Sequence, residues 1–433
     1  MDRLILENFR CFKTRQEVAI RPLTILVGEN STGKTSFLAA IRLAAGLGRE
    51  VKEIDFNQEP FSLGAFDQIA SFAGGRGGRA KSFLVGYDID HRILDPYIDR
   101  DQLPIRVQGI FRSKLGQPFL SELRVSWGTY KVSIVAPKDT GNPTVEMSKG
   151  EEKVTFEGDM PAGREGMFNL RLLSFMAHQQ KRVRKHSKRT EIANALDELA
   201  FGLYREIGEK PYAIAPVRTK PERTYDPKSD IPRPEGNHVP MVLANAASSG
   251  MGDWSELKGR MTQFGTMCGL FSDIRIRRLG RSASDPFQIL VTVSGAAANL
   301  MDVGYGVSQV LPILVDVLSK NRNQLFLMQQ PEVHLHPRAQ AELGTFLGHM
   351  VKREKKRFVV ETHSDNLIDR VCLDIRDRKT GLAPHDVLIL YFERGHPWVS
   401  IYPIEIDANG NIVGAPPGYR SFFLKEQSRL FKV

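Results

Sequence analysis

Cysteine is scarce in this chain: there are three among 433 residues, Cys11, Cys268 and Cys372. They stand far apart and without C-x-x-C spacing, which argues against a disulfide framework and against a cysteine-based zinc site. Long hydrophobic runs are also lacking. No apolar stretch reaches the roughly 18 to 20 residues that a membrane-spanning helix needs, and the opening MDRLILENFRCF has no apolar core of signal-peptide length. The expectation is a cytoplasmic protein with no membrane partner. Sustained heptads are missing as well, which excludes a long coiled coil. Acidic side chains are outnumbered by basic ones, 50 against 60, for a formal net charge of +10. That balance favours acidic partners, nucleic acid among them, but says nothing about fold. The basic excess gathers in KRVRKHSKR (181–189), RIRR (275–278) and REKKR (353–357), and runs of this kind are most often solvated faces.

What is present points to nucleotide chemistry. The apolar run Leu23 to Val27 is followed by a loop, then by Phe37, Leu38, Ile41, Ala44 and Ala45 at helical spacing, which reads as strand, loop, helix. The loop, Gly28 to Thr35, satisfies G-x-x-x-x-G-K-[ST]. Its glycines let the backbone wrap closely round phosphates, and the helix N-terminus behind it adds a favourable partial charge. In that arrangement Lys34 reaches the β- and γ-phosphates and Thr35 offers a hydroxyl to Mg²⁺. A chance glycine-rich loop would not require the strand and helix on either side.

The segment NFRCF with LTILVGENSTGKTS resembles the SMC-like and RecF-like branch of ABC-type ATPases, through Asn8, Phe9, Arg10, Phe12, Leu23, Thr24, Gly28, Asn30, Gly33, Lys34, Thr35 and Ser36. The resemblance implies that Asn30, Ser31, Gly33, Lys34, Thr35 and Ser36 bind ATP. Such ATPases divide their site along the chain, and a second set of matches lies after residue 295. In NLMDVGYGVSQVLPILVDVL, the apolar Val310, Leu311, Leu314, Val315 and Leu318 share a helical face behind a glycine turn. By itself this reads as an ordinary capped helix. The resemblance makes it the signature segment, with Gly304, Gly306, Ser308 and Gln309 facing the γ-phosphate held by a second subunit. In RFVVETHSDNLID, the resemblance makes His363 the switch histidine that hydrogen-bonds the γ-phosphate.

Carboxylates are absent where this family would place them. LFLMQQPEVHLHP begins as a buried parallel strand, Leu325 to Met328, and should end in acidic residues. Aligned on Pro331, Gln329 stands where the family has the acid that holds a magnesium-bound water. Gln330 stands where it has the glutamate that polarises the attacking water, and the first carboxylate is Glu332. An amide binds water but neither attracts a cation nor accepts a proton at neutral pH. Three accounts stay open: a Glu-to-Gln replacement made to trap the ATP state, a naturally slow ATPase, or Glu332 taking over.

Between the two ends, residues 80 to 160 alternate as short strands and predict an antiparallel layer. Residues 165 to 208 are helix-like and carry the strongest basic run, and 215 to 237 form a Pro- and charge-rich connector. Its Arg218, Arg223 and Tyr225 match connectors of prokaryotic AAA-type ATPases, many linked to phage defence. The expected fold is α/β: a P-loop NTPase of the ABC-type ATPase head class with an antiparallel β layer and a helical insertion. Its parts are an N-terminal lobe (1–164), a helical arm or lid with connector (165–240) and a C-terminal lobe (241–433). Only 70 residues follow His363, too few for the nuclease domain of the overcoming-lysogenization relatives, and Glu405 and Asp407 read as a solvated edge. The resemblance implies an ATPase using ATP and Mg²⁺ that forms a homodimer or higher homo-oligomer and serves phage defence with a separate nuclease or toxin effector. The rival is a RecF-like DNA-binding repair or maintenance factor, and a nucleotide kinase would leave the signature and switch segments without a role.

Overall fold

The computed structural model describes residues 1–47, 54–75, 77–90, 103–137, 142–157, 194–199, 210–227, 231–248, 251–395, 398–421 and 428–429. They fall into two compact units. The first comprises Met1–Ile20, Gly28–Pro211 and Phe392–Tyr402, and the second Arg21–Val27, Tyr212–Tyr391 and Pro403–Val433.

In the first unit β1 (Arg3–Glu7), β2 (Gln16–Ala19), β4 (Ser82–Ile89), β5 (Ile105–Lys114), β6 (Gln117–Trp127), β7 (Tyr130–Val135), β8 (Thr144–Lys149) and β9 (Glu152–Glu157) form one antiparallel sheet in the order β2-β1-β4-β5-β6-β7-β8-β9. This is the expected antiparallel layer. Its register follows alternation: Tyr130, Val132 and Ile134 turn inward while Lys131 and Val135 face water, as a period of two requires. Phe83 and Phe111 are direct cross-strand partners, and their rings stack at 5.0 Å, a pair that pins register. Helices among the described residues of this unit are α1 (Lys34–Gly46), α2 (Phe66–Ile69) and a stretch at 194–199.

The second unit is built round a sheet in the order β10-β14-β15-β3-β16-β17-β18. Here β10 is Tyr212–Ile214, β14 Leu325–Gln329, β15 Arg357–Glu361, β3 Leu23–Gly28, β16 Val387–Arg394, β17 Val399–Ile406 and β18 Ile412–Val413. The first four run parallel, and their cores LFLM, FVV and LTILV are unbroken apolar runs, as strands covered on both faces should be. Covering helices are α3 (Val239–Ser248), α4 (Met251–Cys268), α5 (Tyr305–Ser319), α6 (Pro337–Glu354) and α7 (Asp365–Arg376), whose apolar residues join the strands in one core. A small antiparallel sheet of β11 (Asp273–Arg278), β12 (Phe287–Thr292) and β13 (Ala298–Asn299) completes the unit.

The structure shows how two of the basic runs are used. RIRR is strand β11, where Arg275 pairs with Asp273 at 2.6 Å, Arg277 bonds Gln288 and Arg278 donates to Ser248 at 2.8 Å. In REKKR, Lys356 is fully buried and bonded to the Val317 carbonyl and Glu354. The run 181–189 lies outside the described residues, as does the helical arm 165–208 except for 194–199, which are helical. All three cysteines are free, and burial pushes each thiol up to about 11. Among the described residues no helix is long and apolar enough to cross a membrane.

Candidate nucleotide site

The first unit carries the phosphate loop. Gly28 and Gly33 have φ of 143° and 91°, and Ser31 has 60°, so the loop turns where only glycine or a strained residue can follow. A Cβ on Gly33 would press on Cys11 and Phe12, and one on Gly28 on the Phe392 carbonyl. Gly33 is also the N-cap of α1, which has no side-chain cap and no acidic residue in its first turn. A helix start without a side-chain cap or an acidic residue suits an anion. Lys34 is 3% exposed, and its Nζ donates to the Gly28 and Glu29 carbonyls at 2.9 and 2.7 Å. Thr32 is buried and donates to the Glu29 carbonyl, whereas Asn30, Ser31 and Thr35 are exposed and Ser36 is half-buried.

Two arginines frame this loop that sequence reasoning did not place there. Arg394, on β16, donates to the Ser31 carbonyl at 2.9 Å, and Arg10 reaches Ser36 Oγ at 3.4 Å and the Leu63 carbonyl at 3.2 Å. Arg10 stood in the NFRCF match, but nothing local to either residue shows that it meets the loop.

The second unit brings Gln329, Gln330, Glu332 and His363 together at the C-terminal ends of β14 and β15. Gln329 is the register partner of Glu361, and the Gln330 N–H, in a left-handed turn at φ 43°, donates to the Glu361 carbonyl at 2.7 Å. Glu332 Oε1 accepts from the His363 N–H at 2.8 Å. Burial pushes the Glu332 carboxyl above its usual range, against the backbone bonds and the Thr362 hydroxyl that favour its charge. The His363 side chain is exposed. Ser364 caps α7, accepting from the Leu367 N–H at 3.1 Å.

The signature segment folds as α5, with its start against the loop that follows Glu332. A Cβ on Gly306 would lie 3.0 Å from the His334 carbonyl, and the Tyr305 and His334 rings meet edge to face at 4.8 Å. Ser308 is buried and donates to the Tyr305 carbonyl at 2.8 Å, and Gln309 is buried beside it. The accessible edge of this turn is Gly304 and Tyr305, not the serine hydroxyl.

Thr35 and Gln329 offer only uncharged oxygens, and no group of three or more His, Cys, Asp or Glu placed to hold a metal occurs among the described residues. At the phosphate loop, the exposed Thr35 hydroxyl fits Mg²⁺ carried on nucleotide phosphates, which takes one or two oxygens from the protein.

Residues 1–70 match the family model described as "AAA ATPase domain", and residues 282–369 match the one described as "AAA domain, putative AbiEii toxin, Type IV TA system". No curated protein gives a significant match. Among solved structures, an SMC head bound to the C-terminal winged-helix domain of ScpA is 11% identical, with a TM-score of 0.44 over 93% of this chain and 97% of that one. A Pyrococcus furiosus Smc head with an extended coiled coil, bound to the C-terminal domain of ScpA, is 10% identical, with a TM-score of 0.46 over 99% of each chain. The SMC head from Thermotoga maritima is 12% identical, with a TM-score of 0.40 over 94% of this chain and 99% of that one. Likenesses of this degree carry no functional argument. The family matches fall on the two sets of candidate residues: the first holds the phosphate loop, and the second holds Gly304–Gln309, Gln329–Glu332 and His363.

Proposed function

We propose that the chain binds ATP with Mg²⁺, self-associates in the ATP-bound state as an SMC-like ATPase, and acts as the sensor or scaffold of a phage-defence system with a separate effector. The phosphate loop carries this reading. A left-handed glycine cap, an uncapped helix N-terminus and a lysine ammonium under the loop form a phosphate cradle and have little other purpose together. In this reading Asn30, Ser31, Gly33, Lys34 and Ser36 hold the phosphates, Thr35 and Gln329 complete the shell of Mg²⁺, and His363 senses the γ-phosphate. The Gly304–Gln309 turn of one copy covers the nucleotide of another. Turnover is slow, because Gln329 and Gln330 can bind water but cannot accept its proton. The match of 282–369 to a family described as a putative AbiEii toxin of a type IV toxin–antitoxin system supports a role in defence. The RecF-like reading loses Lys356, which is buried, and keeps the exposed Arg275, Arg277, Arg353 and Lys355 together with the run 181–189.

The test is sizing by light scattering with and without ATP and Mg²⁺. The chain should become larger with nucleotide. Lys34→Ala should stay small because it does not bind, and Ser308→Arg should bind ATP yet stay small. Normal assembly of Ser308→Arg would end the shared-site reading.

A further inference from the structure

Arg218 is 2% exposed, among the largest fully buried side chains of the protein. A guanidinium is seldom buried without a partner, because desolvation of the charge must be offset by hydrogen bonds or an opposite charge. Its one bond is weak: Nη2 donates to the Val333 carbonyl at 3.4 Å. Nε and Nη1 are buried without a hydrogen-bond partner among the described residues. One residue before Val333, Glu332 is 6% exposed, with Oε1 engaged by the His363 N–H, the Thr362 hydroxyl acting on the carboxyl, and Oε2 without a hydrogen-bond partner among the described residues. The orphaned atoms are complementary, two donors against one acceptor, but no hydrogen bond or ion pair joins them, and the two groups act on each other through charge alone. Burial lowers the Arg218 guanidinium to about 10, while Glu332 and Tyr305 oppose that fall.

The backbone holds Arg218 in place from both sides. Ala215 and Thr219 donate to the Pro234 and Glu235 carbonyls at 2.9 Å, and Tyr225 exchanges two backbone bonds with Phe287. Arg223 forks onto Asp302 at 2.6 and 2.8 Å. That second arginine is exposed and serves as a surface tie. Arg218 is the one turned inward onto the Glu332 loop.

We propose that Arg218 is a positioning residue for Glu332, fixing the turn that carries it through the Val333 carbonyl, so that the slow ATP turnover of this chain runs through Glu332 while the two glutamines only bind water. This rests on the function proposed above. The experiment measures phosphate release under saturating ATP and, separately, ATP affinity for the wild type, Arg218→Met, Glu332→Gln and the double variant. Each single change should lower release at least about tenfold with ATP affinity within about twofold, and the double variant should be no slower than the slower single one, since residues acting as a unit are not additive. Arg218→Lys keeps a cation without the planar fork, should behave like Arg218→Met, and serves in its place if that variant does not fold. Release within twofold of wild type in both Arg218 variants, or losses that multiply, would overturn the proposal.

A nucleotide-free readout separates this proposal from the one beneath it. Amide exchange across 361–364 should quicken about tenfold in the Arg218 variants, because Glu332 is the acceptor for the His363 N–H. Faster exchange in a protein that fails to bind ATP would reject the proposed function and keep the positioning role, and unchanged exchange would reject the positioning role.

Discussion

At the scale of single residues the phosphate loop depends on one charge and one conformation. Lys34→Ala removes the cation beneath the loop, and a hydrogen bond to a charged group is worth about 1.5–3 kcal/mol, so ATP affinity measured by titration calorimetry should fall at least about tenfold. Gly33→Ala places a side chain at φ 91° against Cys11 and Phe12; unfolding should show a loss of about 1–3 kcal/mol. Gln329→Glu restores a charge where the family resemblance puts one. Turnover should rise at least about tenfold, a barrier change near 1.4 kcal/mol, as read by steady-state phosphate release. Gln329 is buried and in register with the buried Glu361. The new carboxylate should therefore lower thermal stability without nucleotide, and Mg²⁺ with ATP should recover it, because like charges close together in a buried setting disfavour ionisation.

Among elements, α6 and α7 show how ends decide what the middle presents. Ser364 caps α7 through the Leu367 N–H and donates to Gln340 on α6 at 2.7 Å, directly after His363. Ser364→Ala should cost about 1–2 kcal/mol in denaturant unfolding and loosen the turn that carries His363. At the far end of α6, Lys355 sits at φ 57°, a conformation glycine adopts without penalty, so Lys355→Gly should stabilise by about 0.5–1 kcal/mol in the same assay. Helix α5 runs on through Pro312, which costs it a backbone bond. Its near-complete burial among α3, α4 and the strands compensates with apolar contact.

Taken whole, the chain has a net charge of +10, and part of the basic character of its described runs is tied to acids of the second unit, Arg275 to Asp273 and Lys356 to Glu354. Duplex DNA affinity should thus show a shallow salt dependence, fewer than about four phosphates by the slope of log affinity against log salt. A steep slope would return the RecF-like reading to first place. The proposed division at 1–164, 165–240 and 241–433 would place protease-sensitive sites near 165 and 240, and limited proteolysis with mass spectrometry would locate them.

The phosphate loop, its strand and its helix were legible from the sequence because their determinants are local: an apolar run, two glycines five apart, and a 3.6-residue apolar period within 25 residues. The antiparallel layer was legible for the same reason, through alternation and turns. The parallel strands that end in Gln329 and Glu361 could be read from their unbroken apolar cores, and their adjacency came from the tertiary structure. Only that structure decided the fate of polar groups whose partners are distant in the chain. Arg218 and the Val333 carbonyl are 115 residues apart, and Glu332 and the His363 N–H are 31 apart. The run that holds Lys356 reads as a solvated face, because exposure is the default for charge; burial beside the Val317 carbonyl and Glu354 reverses that default. Ser308 follows the same logic. Its position at the start of a helix marks an anion-facing hydroxyl, but packing turned it onto Tyr305 and left the backbone of the glycine turn at the surface.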